Sequence, residues 1–451
     1  MYMRSFKLHL VTLALVLGAS LSLGAQDPFA EGLEGNFERT GATNHSYEPY
    51  TGTYTPVPKG YKPFYISHYG RHGSRRQIGS SGTVAYEYLN AAREAGILTE
   101  EGEKLYEDIK AAYECHVGMD GELTIRGGME HQGIARRMYK NFQPAFKSKD
   151  RKFIHCQASI VPRCLISMAN FTFALKDEDP DLQYDFITGQ KYIDLLAQDY
   201  YERDSYRKQQ SALNDSLLRA YVNTDRVMKS FFKDSPQTAE IVKDPHRFMR
   251  YLFSICADAQ DLREELGGLD LLKWFTPDEL IGLGKFMNER YYSSMGNNAN
   301  WGYNIIWAAK PLVEDFIARA DDAVAGNDVV ADLRFGHDTG ILPLAGLLGL
   351  KGPGDRYPVG EAWKNGYFCW QNIPMATNLQ MVFYRGKKND VIVKILYNER
   401  EMDIPALDLR IQARRLEKGS EGNAPFHGPY YPWPELREYL VSISENKELG
   451  K

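Results

Sequence analysis

Phe64-Tyr65-Ile66-Ser67-His68-Tyr69-Gly70-Arg71-His72-Gly73-Ser74-Arg75-Arg76 opens on a short apolar run and closes on a basic turn. Phe64–Ile66 has the aromatic and β-branched character of a strand. Gly70 and Gly73 let the backbone turn sharply on either side of Arg71 and His72. Two later stretches repeat the pattern. Lys152-Phe153-Ile154-His155-Cys156 is a strand candidate followed by a turn and Arg163, and Val329–Phe335 is a strand candidate followed by Gly336, His337 and Asp338. In open α/β sheets ligands gather at the carboxyl ends of strands, so three such ends define a candidate site.

Working outward, helical periodicity covers 83–115 and 123–145, the second with Thr124 as N-cap before Ile125, Met129, Ile134 and Met138. Helical patterns dominate 175–325, including Ala239–Val242, Phe248–Ile255 and Trp307–Ala318. Strand signals return at Val329–Phe335, Leu379–Tyr384 and Val391–Tyr397, with an apolar helix candidate at Ile341–Leu350. Strands at both ends around a helical middle predict an α/β fold, a central mixed sheet flanked by helices and interrupted by a mostly helical inserted cap. The α/β domain is expected over 26–174 and 326–451, the cap over 175–325. Residues 26–60 read as an irregular lead-in, and the tail from Gly419 as a loop before a short helix from Glu435.

The chain has 451 residues, 43% apolar and 25% charged, with a formal net charge of −5. That composition supports a sizeable core, and it offers no basic excess for nucleic acid. Arg4 and Lys7 precede an apolar run, Leu8–Leu23, and then Gly24 and Ala25. The layout is that of a secretory signal peptide over residues 1–25, the other reading being an uncleaved anchor helix. The mature protein is therefore expected to be exported, periplasmic or secreted, without stable membrane insertion. Its five cysteines, Cys115, Cys156, Cys164, Cys256 and Cys369, match no zinc spacing, and their odd number leaves at least one without an intrachain partner.

A neutral imidazole is a competent nucleophile near pH 7, and fixed guanidinium charges suit the oxygens of a phosphoryl group. Arg71, His72 and Arg75 thus point to phosphoryl transfer through a phosphohistidine. Arg163 is a candidate partner, or else a helix-start or ion-pair residue. Asp338 is a candidate proton donor to a leaving alkoxide if burial raises its pKa, or, like Thr339, simply the N-cap of the helix that follows.

Together the three motifs resemble the histidine acid phosphatase family, the branch of the histidine phosphatase superfamily that includes phytases and multiple inositol polyphosphate phosphatases. The family's RHGxRxP motif is matched by Arg71-His72-Gly73-Ser74-Arg75-Arg76-Gln77, with Gln77 in place of the usual Pro. A pattern like SxxxRCxxS is matched by Ser159, Arg163, Cys164 and Ser167, a Leu-Thr-xx-Gly segment by Leu123, Thr124 and Gly127, and the His-Asp pair by His337 and Asp338. The resemblance implies His72 as nucleophile, Asp338 as proton donor, and Arg71, Arg75, Arg163 and His337 as phosphate ligands, with no metal or other cofactor. It implies a phosphomonoesterase acting on a small-molecule phosphate monoester. His-Asp, as in phytases and acid phosphatases, replaces the His-Ala-Glu common in multiple inositol polyphosphate phosphatases, so general and inositol polyphosphate substrates both stay open. The basic run Arg136, Arg137, Lys140, Lys147, Lys149, Arg151 and Lys152 would attract a polyanion or form a solvated face.

Other chemistries fit less well. A protein tyrosine phosphatase needs five residues between Cys and Arg, and here six separate Cys156 from Arg163. His68 and His72 end a strand without accompanying carboxylate ligands, which argues against a metal pair. Phosphoglycerate-mutase-like relatives usually carry Glu where Ser74 stands. A periplasmic phosphate-ester binding protein without turnover would use the same arginines but would have no need of Asp338 or a nucleophilic His.

Overall fold

The computed structural model describes residues 27–148, 152–196, 203–417 and 428–446. The expected signal peptide, Lys149 and Arg151 of the basic run, and the start of the tail at Gly419 lie outside the described residues.

Eight strands form one sheet: β1 (Lys62–Arg71), β2 (Phe153–Ala158), β3 (Gln183–Thr188), β4 (Val329–Gly336), β5 (Asn378–Arg385), β6 (Val391–Tyr397), β7 (Arg400–Glu401) and β8 (Tyr430–Pro432). Their order is β3-β2-β4-β1-β5-β6-β7, with β8 paired to β6. The β3-β2-β4-β1 half is parallel. From β5 onward the neighbours are antiparallel. The sheet is therefore mixed, as expected. Register sets Arg71 opposite Gly336 and Ala158 opposite Phe335, so the three strand ends meet at one edge.

Side chains alternate across the sheet, and both faces are covered. Tyr65 and Tyr69 of β1 enter one apolar core and Ile66 the other. The Ile66 side is roofed by the helices Ile125–Asn141 and Pro162–Glu178, which pack on each other. The Tyr65 side carries Lys310–Ala325, Asp338–Leu348 and the larger helical layer.

Several boundaries differ from the sequence reading. The periodic stretch 83–115 is two helices, Val84–Glu94 and Glu100–His116, separated where Gly96 takes φ +68 and Thr99 caps the next helix. Both pack on Pro245–Ala257, so the segment after β1 also feeds the helical layer. β3 lies inside 175–325 yet belongs to the sheet, and the helical run starts beyond it. The lead-in is not irregular: it holds a helix at Pro28–Leu33 and a 3-10 helix at Phe37–Asn44 whose second half is buried. All five cysteines are free. Among the described residues no helix is long and apolar enough to cross a membrane.

Candidate active site

The carboxyl end of β1 delivers Arg71 and His72 into the edge between β4 and β5. His72 N–H donates to Gly336 O at 3.0 Å, and its carbonyl accepts from Ala376 N–H at 3.0 Å. The imidazole is 2% exposed, and Nδ1 lies 2.9 Å from Gly73 O. A carbonyl can only accept, so Nδ1 carries the proton and Nε2 keeps its lone pair. Burial, then Arg163, Arg71, His337 and Arg75, hold the His72 pKa well below its ordinary value. His72 is a neutral base with one free nitrogen.

The loop after it is held from behind. Gly73 N–H donates to Ser167 Oγ at 3.2 Å, and Ser74 O accepts from Thr124 N–H and Oγ1 at 3.0 Å each. A Cβ at Gly73 would sit 2.4 Å from Gly127 O, and one at Gly127 would sit 2.2 Å from Ser74 O. The Leu-Thr-xx-Gly segment is thus the seat of the loop after β1, and Gly73 and Gly127 stand where a Cβ would block the close approach of the two backbones. Beneath it Glu130 accepts from Ser74 N–H at 2.7 Å and from Ser74 Oγ at 2.8 Å, and Asp261 Oδ1 lies 2.8 Å from the same hydroxyl. Neither acid was singled out from the sequence, where each sits among ordinary polar residues.

Arg71 is fully buried. Its Nη1 reaches Thr43 O at 2.7 Å, Thr43 Oγ1 at 2.8 Å, Ile373 O at 3.1 Å and Pro374 O at 2.9 Å. Arg75 donates to Asn44 Oδ1 at 3.4 Å. The 3-10 helix of the lead-in therefore anchors two candidate site arginines through one carbonyl and two side-chain oxygens, a role without a sequence signature because Thr43 and Asn44 meet the arginines only in the folded chain. What is left open matters more. Nε of Arg71, Nε of Arg75 and Nε of Arg163 are buried with no hydrogen-bond partner among the described residues, while Nη2 of Arg71 meets the Asp338 carboxylate. Unpaired buried donors are costly, and here they converge around one imidazole.

Arg163 occupies the second position of its helix, so the helix-start reading holds along with the site reading. Its Nη2 lies 3.4 Å from His337 Nδ1, and His337 Nε2 lies 3.0 Å from Ser159 Oγ. Arginine can only donate, so Nδ1 accepts and the proton sits on Nε2. Burial, followed by Arg163, brings the His337 pKa down to about 4. The His72 and His337 rings are 5.7 Å apart.

Asp338 Oδ2 faces Arg71 Nη2 at 3.0 Å. Here the sequence expectation is corrected. Burial is the largest single influence and does raise the carboxyl pKa, but Arg71, His337, Arg75 and Arg163 together outweigh it and leave it lowered. The N-cap assignment is corrected too: His337 is the cap residue, and Asp338 begins the helix Asp338–Leu348. All six predicted site residues are brought together.

His68, by contrast, is packed between Phe171 and Phe335. No group of three or more metal-ligating side chains occurs among the described residues. In the basic run Arg137 pairs with Glu399 at 2.8 Å and Lys152 with Asp179 at 3.1 Å.

Residues 70–398 match the family model described as the histidine phosphatase superfamily, branch 2. The fold is similar to that of the Bifidobacterium longum multiple inositol polyphosphate phosphatase in complex with inositol hexasulfate: TM-score 0.72, 19% identity, 89% of this chain and 97% of that one covered. It is similar also to the phytase from D. castellii, with TM-score 0.64, 15% identity, and 95% and 90% covered. No curated protein matches.

Proposed function

The chain belongs to the histidine phosphatase superfamily, branch 2, and is a histidine acid phosphatase; from that premise we propose that it is exported, works without a metal and hydrolyses phosphate monoesters through a phosphohistidine on His72. The observation that carries this reading is the set of unpaired guanidinium nitrogens around a neutral imidazole.

His72 Nε2 attacks phosphorus, the N–P bond forms, and the bond from phosphorus to the ester oxygen breaks. Nδ1–H, held by Gly73 O, fixes the attacking tautomer and supports the positive charge that forms on the ring. Arg71, Arg75 and Arg163 take the phosphoryl oxygens, and His337, whose Nδ1 accepts from Arg163, aims that guanidinium. Charged hydrogen bonds contribute about 1.5–3 kcal/mol each, and such fixed charges act most strongly in a buried site. Three guanidinium groups thus perform the charge-neutralising role that a cation fills in other phosphoryl-transfer sites.

Asp338 gives its proton to the leaving alkoxide and then, as a carboxylate, takes one from the water that cleaves the N–P bond. Water supplies the oxygen of the released phosphate, and His72 returns to its starting state. In the free site Arg71 keeps Asp338 ionised. A phosphate dianion on the arginines offsets that positive field and favours the protonated acid, so activity belongs to the acidic range. Inositol polyphosphates are the proposed substrate class, in keeping with the names of the two structures of similar fold.

Hydrolysis of p-nitrophenyl phosphate in excess EDTA tests the proposal, with a phosphoprotein trapped by alkaline quench. Turnover abolished by EDTA would refute metal independence. A His72→Ala protein at wild-type rate would refute the covalent route.

A further inference from the structure

The imidazole of His72 is aimed by one peptide group, and a carboxylate holds that peptide from its far side. His72 Nδ1–H donates to Gly73 O at 2.9 Å. The N–H of the same peptide unit, that of Ser74, donates to Glu130 Oε2 at 2.7 Å. A trans peptide points its C=O and N–H in opposite directions, and the Gly73–Ser74 bond is trans. Glu130 and His72 therefore stand at the two ends of a continuous chain, two hydrogen bonds joined by one resonant amide. Among the described residues Glu130 forms no ion pair. Its oxygens take Tyr47 N–H at 2.8 Å, Ser74 N–H, and Ser74 Oγ–H at 2.8 Å.

This network holds one negative charge, and the hydrogen bonds place it on Glu130. Ser74 Oγ lies 2.8 Å from Glu130 Oε1 and 2.8 Å from Asp261 Oδ1. A hydroxyl carries one proton, so one of the two carboxyls must supply its own. Each oxygen of Glu130 already accepts a backbone N–H. Asp261 has, besides Ser74, only Ser46 Oγ at 2.7 Å, and its Oδ2 is buried without a partner. The extra proton thus sits on Asp261 Oδ1 and points to Ser74 Oγ, whose own proton goes to Glu130. Burial, then Asp258 and Glu130, push the Asp261 pKa well above its ordinary value, in the same sense. Burial raises the Glu130 pKa too, but Ser74 and Tyr47 oppose it through three hydrogen bonds.

We propose that the Glu130 carboxylate is a positioning residue for the nucleophile, acting through the Gly73–Ser74 peptide. It polarises Gly73 O, fixes the Nδ1–H tautomer of His72 and steadies the positive charge that the ring acquires when Nε2 takes the phosphoryl group. Each bond in such a chain strengthens the next by about 10–30%. Asp261 assists by staying neutral, since two adjacent buried carboxylates would repel. The inference rests on the phosphohistidine reading and adds the group that orients the attacking ring.

The test compares Glu130→Gln with Asp261→Asn on p-nitrophenyl phosphate, with inorganic phosphate as competitive inhibitor. Glutamine offers one acceptor oxygen to two backbone N–H groups. Glu130→Gln therefore lowers kcat/KM by about 10–100-fold, the range found when a carboxylate supporting a functional histidine is lost. The arginines keep their places, so the inhibition constant of phosphate stays within about twofold. Asp261→Asn keeps a neutral donor toward Ser74 Oγ, and its loss is smaller by about tenfold. A phosphate constant that rises in step with the loss of turnover would make Glu130 a mere structural support and overturn the proposal. So would Glu130→Gln at the wild-type rate, or the larger loss falling on Asp261→Asn. If the Gln variant does not fold, Glu130→Asp is put to the same comparison, and unfolding of both also overturns the proposal. If the wild-type protein leaves p-nitrophenyl phosphate intact, or His72→Ala retains the wild-type rate, the phosphohistidine reading falls and takes the positioning role with it. If His72→Ala is inactive while Glu130→Gln is unimpaired, the positioning role alone falls.

Discussion

Arg71 and Arg334 are among the largest fully buried side chains of the protein, and they lie on adjacent strands of one sheet. Each faces one carboxylate, but the balance of burial and charge around them differs. Arg334 donates from Nε to Asp315 Oδ2 at 2.6 Å and from Nη1 to Ser67 Oγ at 3.1 Å, its Nη2 also meets Asp315, and its guanidinium lies 4.4 Å from the centre of the Phe316 ring. Carboxylates around it outweigh the burial penalty and raise its pKa. Arg71 spends Nη1 on four oxygens and Nη2 on the Asp338 carboxylate, leaves Nε without a hydrogen bond, and has its pKa lowered. Burial alone therefore does not distinguish a structural arginine from a functional one. The unspent donors do, because a rigid, half-satisfied guanidinium is already oriented for an anion that has yet to arrive.

The comparison has meaning only if something attacks where Arg71 points. His72→Ala is expected to lower kcat on p-nitrophenyl phosphate by about 10⁴-fold or more, since nucleophile loss removes a whole covalent route. A residual rate near wild type would remove the functional half of the contrast.

Substituting the two arginines in turn sharpens it. Arg71→Ala should cut kcat/KM by about 10²-fold or more while the protein stays folded, the loss of a transition-state charge contact. Arg334→Ala should instead destabilise the protein by about 3 kcal/mol, because Asp315 loses its nearer partner and keeps only Arg319 at 3.8 Å. Thermal unfolding and kinetics on both variants read this out. If both lose stability and activity in the same ratio, the distinction fails.

Asp338→Asn tests whether the carboxylate beside Arg71 carries a proton in the reaction. Alkyl phosphates need that proton, so they should slow by about 10²–10⁴-fold, whereas p-nitrophenyl phosphate, with its good leaving group, should lose less. The wild-type pH profile follows from the directions of two shifts. Asp338 is held below the ordinary carboxylate range, so its protonated fraction shrinks as pH rises and activity declines toward neutrality. His72 is held well below its ordinary value, so mild acid leaves the nucleophile unprotonated. The Asn variant should lose the decline with rising pH on alkyl esters. Equal losses on both ester types would count against the proton-donor role.

The parts of this contrast differ in how far the sequence exposes them. Strands ending in Gly-Arg-His-Gly and Gly-His-Asp are visible because turn glycines and charged residues interrupt apolar runs, and those interruptions mark the sheet edge and five of the six candidate site residues, Arg163 following a strand that ends without a glycine. Gly127 is visible as a motif position, but its reason, contact with Ser74 O, exists only once two distant segments meet. The same holds for the lead-in. Thr40 to Asn44 look like loop residues, yet they are buried because Arg71 and Arg75 need oxygens there. β3 leaves no clear signal in the sequence because its alternation is short and half-exposed, within a stretch otherwise helical. The direction of the Asp338 shift is not legible in the sequence, because burial can be guessed from a pattern, whereas the three guanidiniums and one histidine that oppose it must be counted in space.

The smallest effect isolates how Arg71 is aimed. Thr43 offers Nη1 both its carbonyl and its hydroxyl, and Thr43→Val removes only the hydroxyl while keeping the branched shape. One net hydrogen bond among four contributes about 1 kcal/mol. The expected loss in kcat/KM is therefore roughly fivefold, with little change in unfolding temperature since three carbonyls still hold the nitrogen. Thr43→Ser restores the hydroxyl and should restore the rate. A Val variant as active as wild type would mean that the carbonyls alone aim Arg71. A Ser variant as impaired as Val would mean that the hydroxyl aims Arg71 only when the methyl beside it holds the rotamer, so that neither group suffices alone.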